Sequence, residues 1–206
     1  MQKPTEIFGK WAEEGKDVGM EKGHATSVKD MLNFALQERA NIGKNFSFLD
    51  LGCGNGWVAR NVSKNSLCAK AVGIDGAEQM IINAKKTGGQ VDYILADINS
   101  YTSPMRFDLI HSMEVLYYLD DPASKVKNLC DHWLEEQGRL IIGIDHYYEN
   151  LDSHSWEEKV GTPMLMLKEA EWLDIFNESG LGDIKSWRSN ESKDWAGTLI
   201  LTGIKN

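Results

Sequence analysis

Residues 49–56 read Leu49-Asp50-Leu51-Gly52-Cys53-Gly54-Asn55-Gly56, three alternating glycines directly after the apolar run 46–51 and directly before a helical period that opens at Trp57. Glycine lacks a Cβ, so such a run lets the backbone turn sharply and lets a ligand come within contact distance of the main chain at the carboxyl edge of a sheet. The dinucleotide fingerprint G-x-G-x-x-G requires glycine at its sixth position, where this chain has Trp57, so the register of a nucleotide dehydrogenase fails. Asp50 points the same way, because a carboxylate just ahead of the loop opposes a pyrophosphate and suits a ligand that carries positive charge.

Outward from this loop, apolar runs with strand character alternate with segments of helical period. Strands are expected over 46–51, 69–74, 91–95, 107–112 and 139–144, and helices over 57–64, 77–86 and 122–136. Near-continuous apolar strands separated by helices are buried on both faces, which means a parallel sheet in an α/β architecture. Ahead of the loop, Val28, Met31, Leu32, Ala35 and Leu36 recur at helical spacing to about residue 40, behind a lead rich in glycine and charge. The tail holds a helix over 168–179 and two β-rich runs, 183–188 and 195–204, parted by a polar turn. Two adjacent strands of this kind form a hairpin, so the sheet is expected to finish with an antiparallel pair.

Two more acidic residues fall at strand ends. Asp75, in Gly73-Ile74-Asp75-Gly76, lies about 20 residues beyond the glycine loop, where a carboxylate accepts hydrogen bonds from both hydroxyls of a ribose. Asp97 and Ile98 follow the third strand and supply an acceptor for an exocyclic amino group and an apolar surface for a flat ring. For Asp97 the plainer alternative is a helix cap or a solvated strand end.

These residues resemble the class I S-adenosylmethionine (SAM)-dependent methyltransferases. LDLGCGNG is the specific match, GIDGAEQMI, YILADI and FDLIHSMEVLYYL are looser ones, and the resemblance runs through the closing hairpin. It implies a doubly wound α/β sandwich with a seven-stranded, mostly parallel sheet of order 3-2-1-4-5-7-6 and an antiparallel strand 7. It implies that Asp50, Gly52 and Gly54, with Cys53, Asn55, Gly56 and Ser112 close by, hold the methionine end of SAM. Asp75 and Gly76 then take the ribose, and Asp97 and Ile98 the adenine. One domain is expected over 1–206: an N-terminal cap and helix (1–45), a SAM-binding core (46–146), a lid or substrate insertion (147–167), and a C-terminal helix with hairpin (168–206). Trp11, Gly19-Met20-Glu21 and His24 look like the cap of small-molecule members. The implied reaction moves a methyl group to a nitrogen, oxygen or carbon of a small molecule and leaves S-adenosylhomocysteine. A protein acceptor, or a SAM-binding sensor without catalysis, are the alternatives.

If the acceptor must lose a proton, the candidates are His111 and Glu114 at the end of the fourth strand, and His146 and His154 beyond the fifth. The plainer alternative is that His111 packs beneath the cofactor and Glu114 opens a helical turn. The polar and aromatic stretch around Asp145, Tyr147, Tyr148 and Trp156 is expected to cover the active site. His146, His154 and Asp145 lack metal-ligand spacing, so no metal is expected.

The bulk numbers set limits. At 206 residues the chain builds one sizeable core. Thirty-one acidic against 22 basic residues leave a net charge of -9, which repels nucleic acid and anionic lipid. Three cysteines, Cys53, Cys68 and Cys130, are widely spaced and read as reduced thiols. With no apolar leader and no run long enough to span a bilayer, a cytoplasmic monomer or homodimer is expected.

Overall fold

The computed structural model describes residues 1–206. Its seven strands are β1 (Phe46–Leu51), β2 (Cys68–Asp75), β3 (Asp92–Leu95), β4 (Phe107–Met113), β5 (Leu134–Ile144), β6 (Leu181–Ser189) and β7 (Thr198–Lys205). They form one sheet in the order β3-β2-β1-β4-β5-β7-β6, parallel from β3 to β5, with β7 antiparallel to both neighbours. The expected topology, including the antiparallel closing pair, is the one observed.

The helices are α1 (Pro4–Glu13), α2 (Asp17–Ile42), α3 (Trp57–Val62), α4 (Glu78–Thr87), α5 (Pro122–Asn128), α6 (Trp156–Val160) and α7 (Glu169–Glu178). Side chains alternate along each strand, so the sheet has two apolar faces. Phe46, Phe48, Leu109 and Ile141 pack against Val28, Met31 and Leu32 of α2 and Val58 of α3. Leu49, Leu51, Ile110 and Ile142 face the other way, onto Val126 of α5, Trp133, and Trp172 and Phe176 of α7. No helix is long and apolar enough to cross a membrane.

Two elements depart from expectation. The lead is helical: α1 starts with a proline in its first turn, and α2 begins at Asp17 and absorbs Gly19 and Gly23. Isolated glycines weaken a helix by about 1 kcal/mol each, and tertiary packing overrides that cost here, with Ile7 and Ala12 of α1 and Val28, Met31, Leu32 and Ala35 of α2 buried. The helix expected over 122–136 stops at Asn128, and after a wide turn at Leu129–Trp133 the chain is already strand at Leu134. That early start is a register irregularity: Phe107 pairs with Leu134 but Leu109 with Arg139, and Gln137 takes up the slack at φ 64°.

One ion cluster ties the second half together. Arg139 on β5, 1% exposed, donates to both Glu38 oxygens of α2 at 2.8 and 2.7 Å, to Thr202 of β7 at 2.9 Å and to Asp183 of β6 at 3.3 Å, and its guanidinium lies over Phe34. Removing one partner of a buried pair strands the other in a poor dielectric. Arg139→Met is therefore expected to lower unfolding stability by about 3 kcal/mol, read as a lower urea midpoint with unchanged slope.

Candidate functional site

A cavity of about 650 Å³ opens at the carboxyl ends of β1, β2 and β4 and is roofed by α1 and the start of α2. Its floor is the glycine turn. Gly52 and Gly56 both adopt left-handed φ, 74° and 78°, which only glycine takes without strain. A Cβ at Gly52 would run into the Val115 side chain, and one at Gly56 into the Tyr93 ring.

The turn is held from β2. The N–H groups of Gly52 and Cys53 donate to the Ile74 carbonyl at 2.8 and 2.9 Å. The Asp75 carboxylate accepts from the Gly54 N–H and the Ala77 N–H, each at 2.8 Å. Burial pushes the Asp75 carboxyl above the usual range, and the two N–H donors pull it back. Asn55 is tied to α2 through its amide, which donates to Asp17 at 3.2 Å. Cys53 lines the cavity, but burial raises its thiol well above the usual range, so it stays protonated. A Cβ on Gly76 would meet Thr5, so the roof helix α1 rests on this residue.

Asp50 and His111 are register partners on β1 and β4, so their side chains leave the sheet side by side. His111 Nδ1 and Asp50 Oδ1 are 2.8 Å apart, and both residues are buried. The remaining atoms, Asp50 Oδ2 and His111 Nε2, have no partner. Orphaned buried polar atoms are costly and normally find a ligand or a water, and both residues are in the cavity wall.

At the far side, Ile98 is buried and Asp97 exposed in the wall, with Asp97 Oδ1 accepting from the Asn99 N–H at 2.9 Å. Phe8 of α1 and Tyr118 meet edge to face at 5.3 Å and form an aromatic side to the cavity. Beyond the glycine turn, Glu114 follows β4 with φ 60°, an uncommon conformation for a non-glycine residue. One of its oxygens accepts from the Tyr117 hydroxyl at 2.7 Å and the other from the Asp145 N–H. Burial, reinforced by the neighbouring Asp145, pushes its carboxyl well above the usual range. Candidate ligand atoms of His24, Glu114 and Asp145 all lie within 4.8 Å of one another.

Four residues proposed from sequence lie away from the cavity wall. Gly56 packs against the Tyr93 ring instead. The Ser112 hydroxyl donates to the Leu51 carbonyl at 2.9 Å, because the alternation that aims His111 at the cavity turns Ser112 to the opposite face. His146 is turned away in the same manner; its Nδ1 meets the Ser153 carbonyl at 3.1 Å, and its ring lies between Tyr117 and Trp156. His154 is exposed, with Nε2 2.7 Å from the Tyr148 carbonyl. The stretch 147–167 contributes only Pro163 to the wall. Tyr147 is buried with its hydroxyl on the Gly197 carbonyl at 3.0 Å, and Gly161 and Thr162 bind the two main-chain groups of Gln2. This stretch thus anchors the N-terminal roof. The roof residues Thr5, Phe8 and Asp17 carried no signal at the sequence level, since they fall in helices interrupted by glycine or charge.

The fold, the glycine turn and the acidic strand ends define a class I SAM-dependent methyltransferase architecture. Residues 49–146 match the family model of the methyltransferase domain. The chain is 33% identical over 117 residues, 54% of its length, to a ubiquinone biosynthesis O-methyltransferase of Serratia proteamaculans, covering 47% of that protein. It is 27% identical over 169 residues, 74% of its length, to a probable (S)-tetrahydroprotoberberine N-methyltransferase of Papaver bracteatum, again covering 47%. The chain thus spans about half the length of these curated relatives. In structure it matches a Haloferax volcanii putative methyltransferase solved in complex with the Trm112 activator, at TM-score 0.82 and 24% identity, covering 100% of this chain and 99% of that one. The residues present fit the cofactor. Asp50 has an unpartnered buried oxygen that an ammonium would meet, Asp75 lines the cavity opposite the loop where ribose hydroxyls would meet it, and Ile98 presents an apolar surface.

Asp145 yields a prediction about stability. It is 5% exposed, and burial raises its carboxyl from 3.8 to about 6, with the Thr198 hydroxyl opposing; His24 and Glu114 are the titratable groups facing it. The folded state therefore holds a proton that the unfolded chain has already released between about pH 4 and 6, so this residue costs nothing below that window and its full penalty above it. Asp145→Asn is expected to stabilise the protein by about 3 kcal/mol at pH 8 and to be neutral at pH 4, measured by denaturant unfolding at the two values.

Proposed function

We propose that this chain transfers the methyl group of SAM to a small-molecule acceptor. The observation that carries the reading is the buried Asp50–His111 pair with its unpartnered Asp50 oxygen, set beside a glycine turn that Asp75 clamps from the next strand. An anionic pocket at that spot suits an ammonium and a sulfonium and is hostile to a pyrophosphate. Bound SAM supplies a methyl group already activated on a positively charged sulfur.

What the protein must then do is bind, align and keep water away. Asp50, Gly52 and Gly54 hold the methionine end, with Cys53, Asn55 and Gly56 completing the turn, Asp75 and Gly76 take the ribose, and Asp97 and Ile98 take the adenine. The helices α1 and α2 cover the cavity, and the aromatic side made by Phe8 and Tyr118 borders the remaining space for the acceptor. Alignment of donor and acceptor alone has a ceiling of roughly 7 to 11 kcal/mol, so a strong base is not required for every acceptor. His111 spends Nδ1 on Asp50 and acts here as a positioning residue. One relative is named for O-methylation and another for N-methylation, so relationship by itself does not choose the acceptor atom.

The test is calorimetric titration with S-adenosylhomocysteine, followed by incubation of the protein with methyl-labelled SAM and a pool of small metabolites. Uptake of the ligand and label transferred to a small molecule are expected. Asp75→Asn should weaken uptake by about tenfold or more, the equivalent of a lost charge-assisted hydrogen bond. Tight binding without label transfer across broad pools would instead mark a sensor, and absence of binding would overturn the proposal.

A further inference from the structure

At the acceptor end of the cavity the carboxylates have no cation to meet. Lys3 is the only Lys or Arg side chain in the wall, against Glu21, Glu114 and the carboxylates assigned to SAM. Asp145 stands at the end of β5 behind Glu114 and His24, buried, with Oδ1 lacking any hydrogen-bond partner. Its Oδ2 is 3.9 Å from His24 Nε2, too far for a hydrogen bond. A buried carboxylate with one oxygen unpartnered and only the Thr198 hydroxyl to oppose its desolvation is expensive. The protein also keeps Glu114 in a left-handed backbone conformation, with each oxygen pinned by one donor and lone pairs still free. Strain and uncompensated charge at one spot are retained where a ligand repays them.

We propose that the acceptor is an amine, bound as its ammonium between Glu114 and Asp145 and deprotonated by His24. This rests on the methyltransferase reading above. Ligand atoms of the three groups lie within 4.8 Å of one another, with His24 and Glu114 in the cavity wall and Asp145 directly behind them, so an ammonium seated between the two wall residues comes within reach of the second carboxylate. Burial lowers the affinity of His24 for protons, which keeps the ring neutral with its lone pair free; the transfer to it is uphill and is drawn forward by the methyl transfer that consumes the free amine. The proton passes from the ammonium to His24, and the freed nitrogen lone pair forms the N–C bond to the methyl carbon. The C–S bond breaks, its electron pair stays on sulfur, and the product leaves as a methylated ammonium. The aromatic side formed by Phe8 and Tyr118 favours an amine with an apolar or flat body. An acceptor carrying a carboxylate or phosphate at this end would meet repulsion from both acids.

The experiment uses the full chain saturated with S-adenosylhomocysteine and titrates arylalkylamines, with 2-phenylethylamine first, against the alcohol and carboxylate of the same skeleton, 2-phenylethanol and phenylacetate. The amines are expected to bind about tenfold or more tighter than their neutral and anionic counterparts. Glu114→Gln and Asp145→Asn should each erase that preference, and retained uptake of S-adenosylhomocysteine certifies that the variants fold. Three results would overturn the inference while leaving the methyltransferase reading intact. These are S-adenosylhomocysteine bound with no preference for amines, a preference that survives both variants, or stoichiometric Zn2+ or Mn2+ at these residues that excludes the amine. Failure to bind S-adenosylhomocysteine at all would instead remove the reading on which the inference rests.

Discussion

The hydrogen bonds from Gly54 and Ala77 to the Asp75 carboxylate are the contacts on which the site depends. They join the turn after β1 to the start of α4, two pieces of chain that have no backbone ladder between them. With both ends on one carboxylate, the glycine turn cannot drift from β2, and the cavity floor is shaped before any ligand arrives. A buried acid that serves two N–H donors also keeps lone pairs for hydroxyl donors, since each carboxylate oxygen accepts more than one bond. In the function proposed above, the residue that shapes the cavity floor is thus also the one that takes the ribose.

The same economy appears in the roof. Asn55 of the turn holds Asp17 at the start of α2, and Asn83 of α4 donates to the Ala12 carbonyl of α1. The first residues of the chain are pinned in turn by Gly161 and Thr162, which take both main-chain groups of Gln2. The cover over the cavity is therefore anchored at both its edges.

The carboxylates in the cavity wall, and Asp145 just behind it, are held in different ways. Asp50 and Asp75 are committed, one to His111 and the other to the loop. Glu114 and Asp145, further along the strand ends, are held at a cost, the first in backbone conformation and the second in desolvation. Stability surrendered at such positions is the usual mark of a site that acts on a ligand.

The amino-acid order by itself determined the alternation of strands and helices, the closing hairpin and the glycine loop, because glycine spacing and apolar periodicity are local signals, whereas the sheet order was implied only by the family resemblance. Asp50, Asp75 and the glycines could be placed for the same reason: each sits at a fixed offset from a strand end. Tertiary structure alone decided which neighbours face the cavity. His111 and Ser112 differ by one residue and point to opposite faces, and His146 is turned away from the wall in the same fashion. It also decided that the glycine-bearing lead is helical, since burial of Ile7 and Ala12 and of the apolar face of α2 outweighs weak propensity. His24, Glu114 and Asp145 come from α2, the end of β4 and the end of β5, and no spacing in a linear chain records a meeting among residues so far apart.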